Sequence, residues 1–168
     1  MRDPAPITAR RGLPGPGYNP ADTSSPSQEI PFMTSNRAER ITVTPDPYAP
    51  FRISLGFRVG NLVFLSGHAA LDEQGRVVGA GNFDAQAEQT FRNLEKSLAA
   101  AGATLHEVIK VNIYLTDMSH FPSIVELRGK WFSPPWPADT IVEVKSLALP
   151  ELMIEIECVA LAGGELVG

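Results

Sequence analysis

From Leu152 to Leu161 the chain runs Leu-Met-Ile-Glu-Ile-Glu-Cys-Val-Ala-Leu, with Ile154, Ile156 and Cys158 alternating against Glu155 and Glu157. Successive residues of an extended strand point to opposite faces, so this period of two demands a sheet with one covered face and one face bearing acids. The cover has to come from amphipathic helices, as in a two-layer α+β sandwich. A chain of 168 residues fits one such domain with an appendage better than two domains that each need a core.

The rest of the chain supplies the parts. Phe51 to Phe57 and Leu62 to Ser66 are short apolar runs joined by Arg58-Val59-Gly60-Asn61, which reads as a β-hairpin. Asn82 and Asp84 offer caps for a helix whose apolar positions Ala87, Phe91, Leu94, Leu98 and Ala101 recur at alternating spacings of four and three. Gly102 ends it as a left-handed C-terminal residue does. Val108 to Leu115 is rich in β-branched residues and reads as a strand. Thr116-Asp117-Met118-Ser119 then caps a second helix containing Phe121, Ile124, Leu127, Trp131 and Phe132, with Pro122 in its tolerated first turn. An extended Ser133-Pro134-Pro135-Trp136-Pro137 leads into a strand from Asp139 to Ser146, and the last strand follows a turn at Leu149-Pro150-Glu151. The predicted order is strand, strand, helix, strand, helix, strand, strand, in a mostly antiparallel sheet. By parity, Val142 and Val144 meet the helices, while Asp139, Ile141, Glu143 and Lys145 share the opposite side with Glu155 and Glu157.

Residues 1–40 contain seven of the fifteen prolines and no periodicity, which predicts an arm that is mobile or draped over a neighbour with Tyr18, Ile30 and Phe32 as anchors. The domain then occupies residues 41–162, with a short tail at 163–168. A formal net charge of −5 with no basic run argues against a nucleic-acid partner. No stretch approaches the roughly 20 apolar residues that span a bilayer, no signal-peptide pattern follows the first basic residues, and Cys158 has no cysteine to pair with. A reduced, cytoplasmic setting without membrane contact is the expectation. The three histidines and one cysteine show no metal-ligand spacing and there is no glycine-rich phosphate loop, so neither a metal nor a cofactor is expected.

Val59 to Gly67, Val108 to Asp117, Pro137 to Val144 and Ile154 to Ala160, in this order and spacing, resemble the Rid family (YjgF, reactive-intermediate deaminases). The resemblance implies a chorismate-mutase-like subunit assembled as a homotrimer around a central β-barrel, with three clefts between subunits. In deaminating members such clefts hydrolyse enamines and imines to keto acids and ammonia. Carried over by position, Ser66 and Gly67 match the cleft's Ser-Gly, and Glu155 the glutamate that positions water. Phe51 falls near the family's cleft aromatic, and Val125 near its helix-borne polar residue. Asp139 falls where deaminases carry the arginine that grips a substrate carboxylate. An aspartate repels that anion, so the ligand is expected to be neutral or cationic at that end unless Arg52, Arg128 or Lys145 supplies a charge.

Two chemistries stay open. Asp139 and Glu155 form a carboxylate pair able to split acid and base roles, or Asp139 merely caps a strand or meets a cation. His68, at the strand end beside Ser66-Gly67, is either a proton carrier or a surface residue. The resulting expectation is a small-molecule enzyme working without a cofactor, as an imine or enamine hydrolase or a biosynthetic lyase, cyclase or tautomerase. The alternative is a non-catalytic ligand-binding or regulatory trimer.

Overall fold

The computed structural model describes residues 37–168. Six strands, β1 (Ala38–Arg40), β2 (Gly56–Val59), β3 (Leu62–Ala69), β4 (Val108–Leu115), β5 (Ala138–Glu143) and β6 (Ile154–Leu161), and two helices, α1 (Phe83–Ala100) and α2 (Phe121–Trp131), make an α+β sandwich. The sheet order is β1-β2-β3-β6-β4-β5, so the alternating strand β6 lies inside the sheet between β3 and β4. All pairings are antiparallel except β4 with β5.

The covered face holds the core. Val63, Val111, Ile113, Leu115, Ile154, Ile156 and Ala160 are buried against Ala87, Phe91, Leu94 and Leu98 of α1 and Ile124 of α2. The Asn82 side chain accepts a hydrogen bond from the Ala85 backbone N–H and starts α1, and Gly102 follows its end at φ 73°. Phe91 joins the two helices: its ring stacks on Trp131 with centroids 5.3 Å apart and meets Phe132 edge-on at 5.7 Å. Buried Gln86 ties α1 to the entry of β6, its amide donating to the Glu151 carbonyl (2.7 Å) and accepting from the Met153 N–H (2.8 Å).

Two expectations change. Ala38–Arg40, which composition places in the arm, pairs with β2 as an edge strand, so ordered structure begins before residue 41. The rest of that arm, with Tyr18, Ile30 and Phe32, lies outside the described residues. The predicted facing of β5 is inverted: the register pairs Val111 with Asp139, Ile113 with Ile141 and Leu115 with Glu143, which turns these three toward the helices. Ile141 packs against the core, the Met118 N–H donates to Glu143, and Val142 is left 40% exposed on the far face. Valines mislead here because the far face is itself apolar, carrying exposed Phe57, Val59 and Phe64.

Between Leu65 and His68 the β3–β6 register shifts at a bulge, so that Leu65 faces Cys158 and His68 faces Ile156. Ser66 and Gly67 together stand opposite the single residue Glu157. Phe91→Ala is expected to cost about 3–5 kcal/mol in urea unfolding, as an aromatic lost from a core where neighbours cannot close the gap.

Candidate functional site

The bulge places Gly67 under a carboxylate. A Cβ on Gly67 would lie 1.9 Å from Glu155 Oε1 and 2.7 Å from its Cδ, so only glycine lets the Glu155 side chain lie flat there. Glu155 is half-buried, and among the described residues no group hydrogen-bonds its carboxylate. Burial, and then the neighbouring charge of Glu157, raise its pKa above the usual 4.5. Glu157 shares that face but is engaged, accepting from the Asn112 amide and from the Tyr114 hydroxyl at 3.0 Å.

The cleft around Glu155 is otherwise apolar, about 120 Å³, and includes Tyr48, Phe51, Ile53, Ala69, Leu149 and Leu152. A second small core of Tyr48, Leu55, Ala69, Leu71 and Leu152 forms its floor. Phe51 ends a short helical turn, Ala49–Phe51, and stands 48% exposed at the rim. The next residue, Arg52, adopts φ 58°, a left-handed conformation that costs energy for a side chain of this size. Tyr48, which the sequence reading passed over, accepts the Ala69 N–H (3.2 Å), and burial pushes its phenol up to about 12. Its only sequence signal was being an aromatic three residues before Phe51.

The other site residues divide. Ser66 is adjacent, but its hydroxyl donates at 3.0 Å to the carbonyls of Ser54 and Leu55, binding β3 to the incoming segment. His68 is neither in a loop nor on the surface: the bulge turns it into the core at 1% exposure, on the face away from Glu155. Its Nδ1 lies 2.7 Å from the Ser66 carbonyl and its Nε2 2.7 Å from Ser97 Oγ. These contacts fit a neutral ring that donates through Nδ1 and accepts through Nε2, and burial lowers its pKa to about 4. Cys158 is buried too, and its thiol is pushed up to about 12 by burial and by Glu157, which makes it unreactive.

Asp139 lies on the helix face and Glu155 on the other, so one chain does not bring the two acids together. Asp139 instead accepts from Arg128 Nε at 2.6 Å. This pair sits in a second cavity, about 430 Å³, lined by Phe121, Phe132, Trp136 and Ile141. Val125, on α2, is 52% exposed and lines neither cavity. Arg52 and Lys145 make no ion pair among the described residues. Nor do any three His, Cys, Asp or Glu side chains there converge as metal ligands.

Fold and site together define a class: an α+β subunit with a half-buried, unpartnered glutamate held over a glycine in an apolar cleft. Residues 42–162 match the family model described as endoribonuclease L-PSP. A 2-iminobutanoate/2-iminopropanoate deaminase of Dermatophagoides farinae is 31% identical over 127 residues, covering 76% of this chain and 97% of that protein. The chloroplastic Reactive Intermediate Deaminase A of Arabidopsis thaliana is 36% identical over 128 residues, covering 76% and 67%. The crystal structure of RidA from an Antarctic Psychrobacter species superposes with a TM-score of 0.67 at 34% identity, covering 73% of this chain and 98% of that one. The chain belongs to the Rid (YjgF, L-PSP) family.

The buried imidazole fixes a pH dependence. Its folded pKa lies below the unfolded value of 6.5, so its contribution to stability is present above 6.5 and is lost as pH falls toward about 4, where the unfolded chain alone gains the proton. Replacing His68 by Gln should flatten the fall in denaturation midpoint across that window, even if the variant is less stable at pH 7.

Proposed function

We propose that the chain is a hydrolase of imine or enamine intermediates, acting without a cofactor in clefts completed between neighbouring copies of itself. One observation carries this reading: the carboxylate of Glu155 is half-buried over Gly67 and none of the described residues occupies its lone pairs. Such a group is free to hold a water molecule. In its ionised form Glu155 takes a proton from that water as the oxygen bonds to the C=N carbon, and hands that proton to the nitrogen to give a carbinolamine. Glu155 then takes the carbinolamine hydroxyl proton as the C=O forms and passes it to the nitrogen as the C–N bond breaks, so that imine and water become carbonyl compound and ammonia. The raised pKa suits a group that must both take and give the proton.

Asp139 takes no part in proton transfer here, because Arg128 already binds its carboxylate. Completion by a second copy is supported by two features. The acid cleft and the Arg128–Asp139 cavity open on different sides of one sheet, and the far sheet face exposes Phe57, Phe64 and Val142 with nothing over them among the described residues. A closed trimer covers such a face without leaving an edge. The protein is also proposed to bind no nucleic acid, whatever the family's description, since seven of its Arg and Lys side chains are already matched to carboxylates. A cytoplasmic setting suits its buried, unpaired thiol. No described helix is long and apolar enough to cross a membrane.

A binding-only trimer draws support from Ser66 and His68, whose polar atoms serve the fold and leave a single acid for chemistry. Turnover separates the two readings. Glu155→Gln should slow the release of ammonia from imines generated in situ by about a hundredfold or more, with size in solution unchanged. It should also stabilise the fold at pH 7: a carboxyl whose folded pKa is raised favours folding below 4.5, and that contribution is lost as pH rises through the folded value. Equal rates with and without Glu155, or a monomer in solution, would remove this reading.

A further inference from the structure

The cavity beside α2 and β5 holds a charged pair among exposed aromatic rings. Arg128 comes from α2 and Asp139 from the edge strand, and their side chains are only 25% and 17% exposed although the β5 backbone is open. Arg128 Nε donates to Asp139 Oδ2 at 2.6 Å, and the guanidinium lies 5.7 Å from the centroid of the Phe121 ring. Among the described residues nothing binds the two terminal nitrogens of Arg128 or the second oxygen of Asp139. Phe121 and Trp136, at 41% and 56% exposed, and buried Phe132 line the same space. Two large exposed aromatics beside an ordered ion pair are not what solvent exposure alone would favour, and such a combination marks a place where a small molecule sits.

We propose that this pair recognises the non-reacting end of the substrate, and that it selects a neutral amide or ureide there over a carboxylate. The inference rests on the hydrolase reading above, which it deepens by naming the substrate class. The reason is charge balance. A carboxylate that reaches the free guanidinium nitrogens also comes close to the free oxygen of Asp139, so attraction and repulsion act over similar distances and largely cancel. An amide has no net charge to repel: its carbonyl oxygen accepts from Arg128 while its N–H donates to Asp139, which satisfies both free groups at once. The group is flat, and the aromatic side chains give a flat group apolar surface while keeping water from competing for its polar edge. Asp139 thus has two roles: it fixes Arg128 and it cancels its charge.

The test is binding, which needs no turnover. The affinities of the full-length protein for 2-oxobutanamide and 2-oxobutanoate are measured by calorimetry on the wild type and on the Asp139→Asn, Arg128→Gln and Glu155→Gln variants. The wild type should prefer the amide about tenfold or more, and Arg128→Gln should erase most of that preference. Asp139→Asn should reverse it, because the guanidinium remains and its counter-charge is gone. Tighter binding of the acid by the wild type overturns the proposal and makes Arg128 a carboxylate clamp. Absence of binding of either probe at millimolar concentration overturns it as well, and so does an unchanged ratio in Asp139→Asn whose circular dichroism matches the wild type. Because the wild-type ratio decides by itself, a variant that fails to fold does not shelter the idea. An amide preference in a protein that hydrolyses no imine leaves the recognition intact and removes the hydrolase reading, whereas imine hydrolysis with acid preference does the reverse.

Discussion

Strand β6 has to satisfy two environments at once. Ile154, Ile156, Cys158 and Ala160 are sealed beneath α1 and α2, while Glu155 and Glu157 must leave on the other side because an unpaired carboxylate cannot enter that core. Being flanked by β3 and β4, β6 cannot slip: a shift of one residue would drive both acids into the helices. Everything about the cleft follows from that locked register. Glu155 pairs with Ala69 just beyond the bulge, Gly67 gives its side chain room, and the second small core fixes the wall it leans on.

Charge is arranged with similar economy. Glu157 is consumed by Asn112 and Tyr114, which leaves Glu155 as the free acid on its face and also raises its proton affinity. On the helix side, Asp139 is not left alone: α2 brings the Arg128 guanidinium to it, so the two side chains form a pair with no net charge.

Much of the fold was legible because it rests on periodicities the sequence states openly. The stripe of α1, the β-branched run of β4 and the alternation of β6 each correspond to a buried face, and the four spaced blocks from Val59 to Ala160 carried the family. What the sequence concealed depends on tertiary partners. The facing of β5 could not be read from its valines, since the exposed far face is itself apolar. The burial of His68 was hidden because alternation counted from Leu62 does not reveal where a bulge changes its sense. Glu155 and Gly67 were found through resemblance, but their contact, the Arg128–Asp139 pair and the role of Tyr48 appear only when distant segments meet.

The bulge in β3 also bears on how relatives of this chain are to be aligned. Up to Leu65 the odd-numbered residues of the strand point inward; from His68 onward it is the even-numbered ones. The strand therefore carries a phase change that depends on one extra residue. Loss of one residue there would remove the bulge and leave the valine, the leucine and the imidazole inward in uniform alternation, so that the core face would survive while the backbone beneath Glu155 would change. A gap placed at this point in an alignment thus stands for a different architecture of the pocket wall, and homologues that differ there should not be assumed to present the same groups to a ligand.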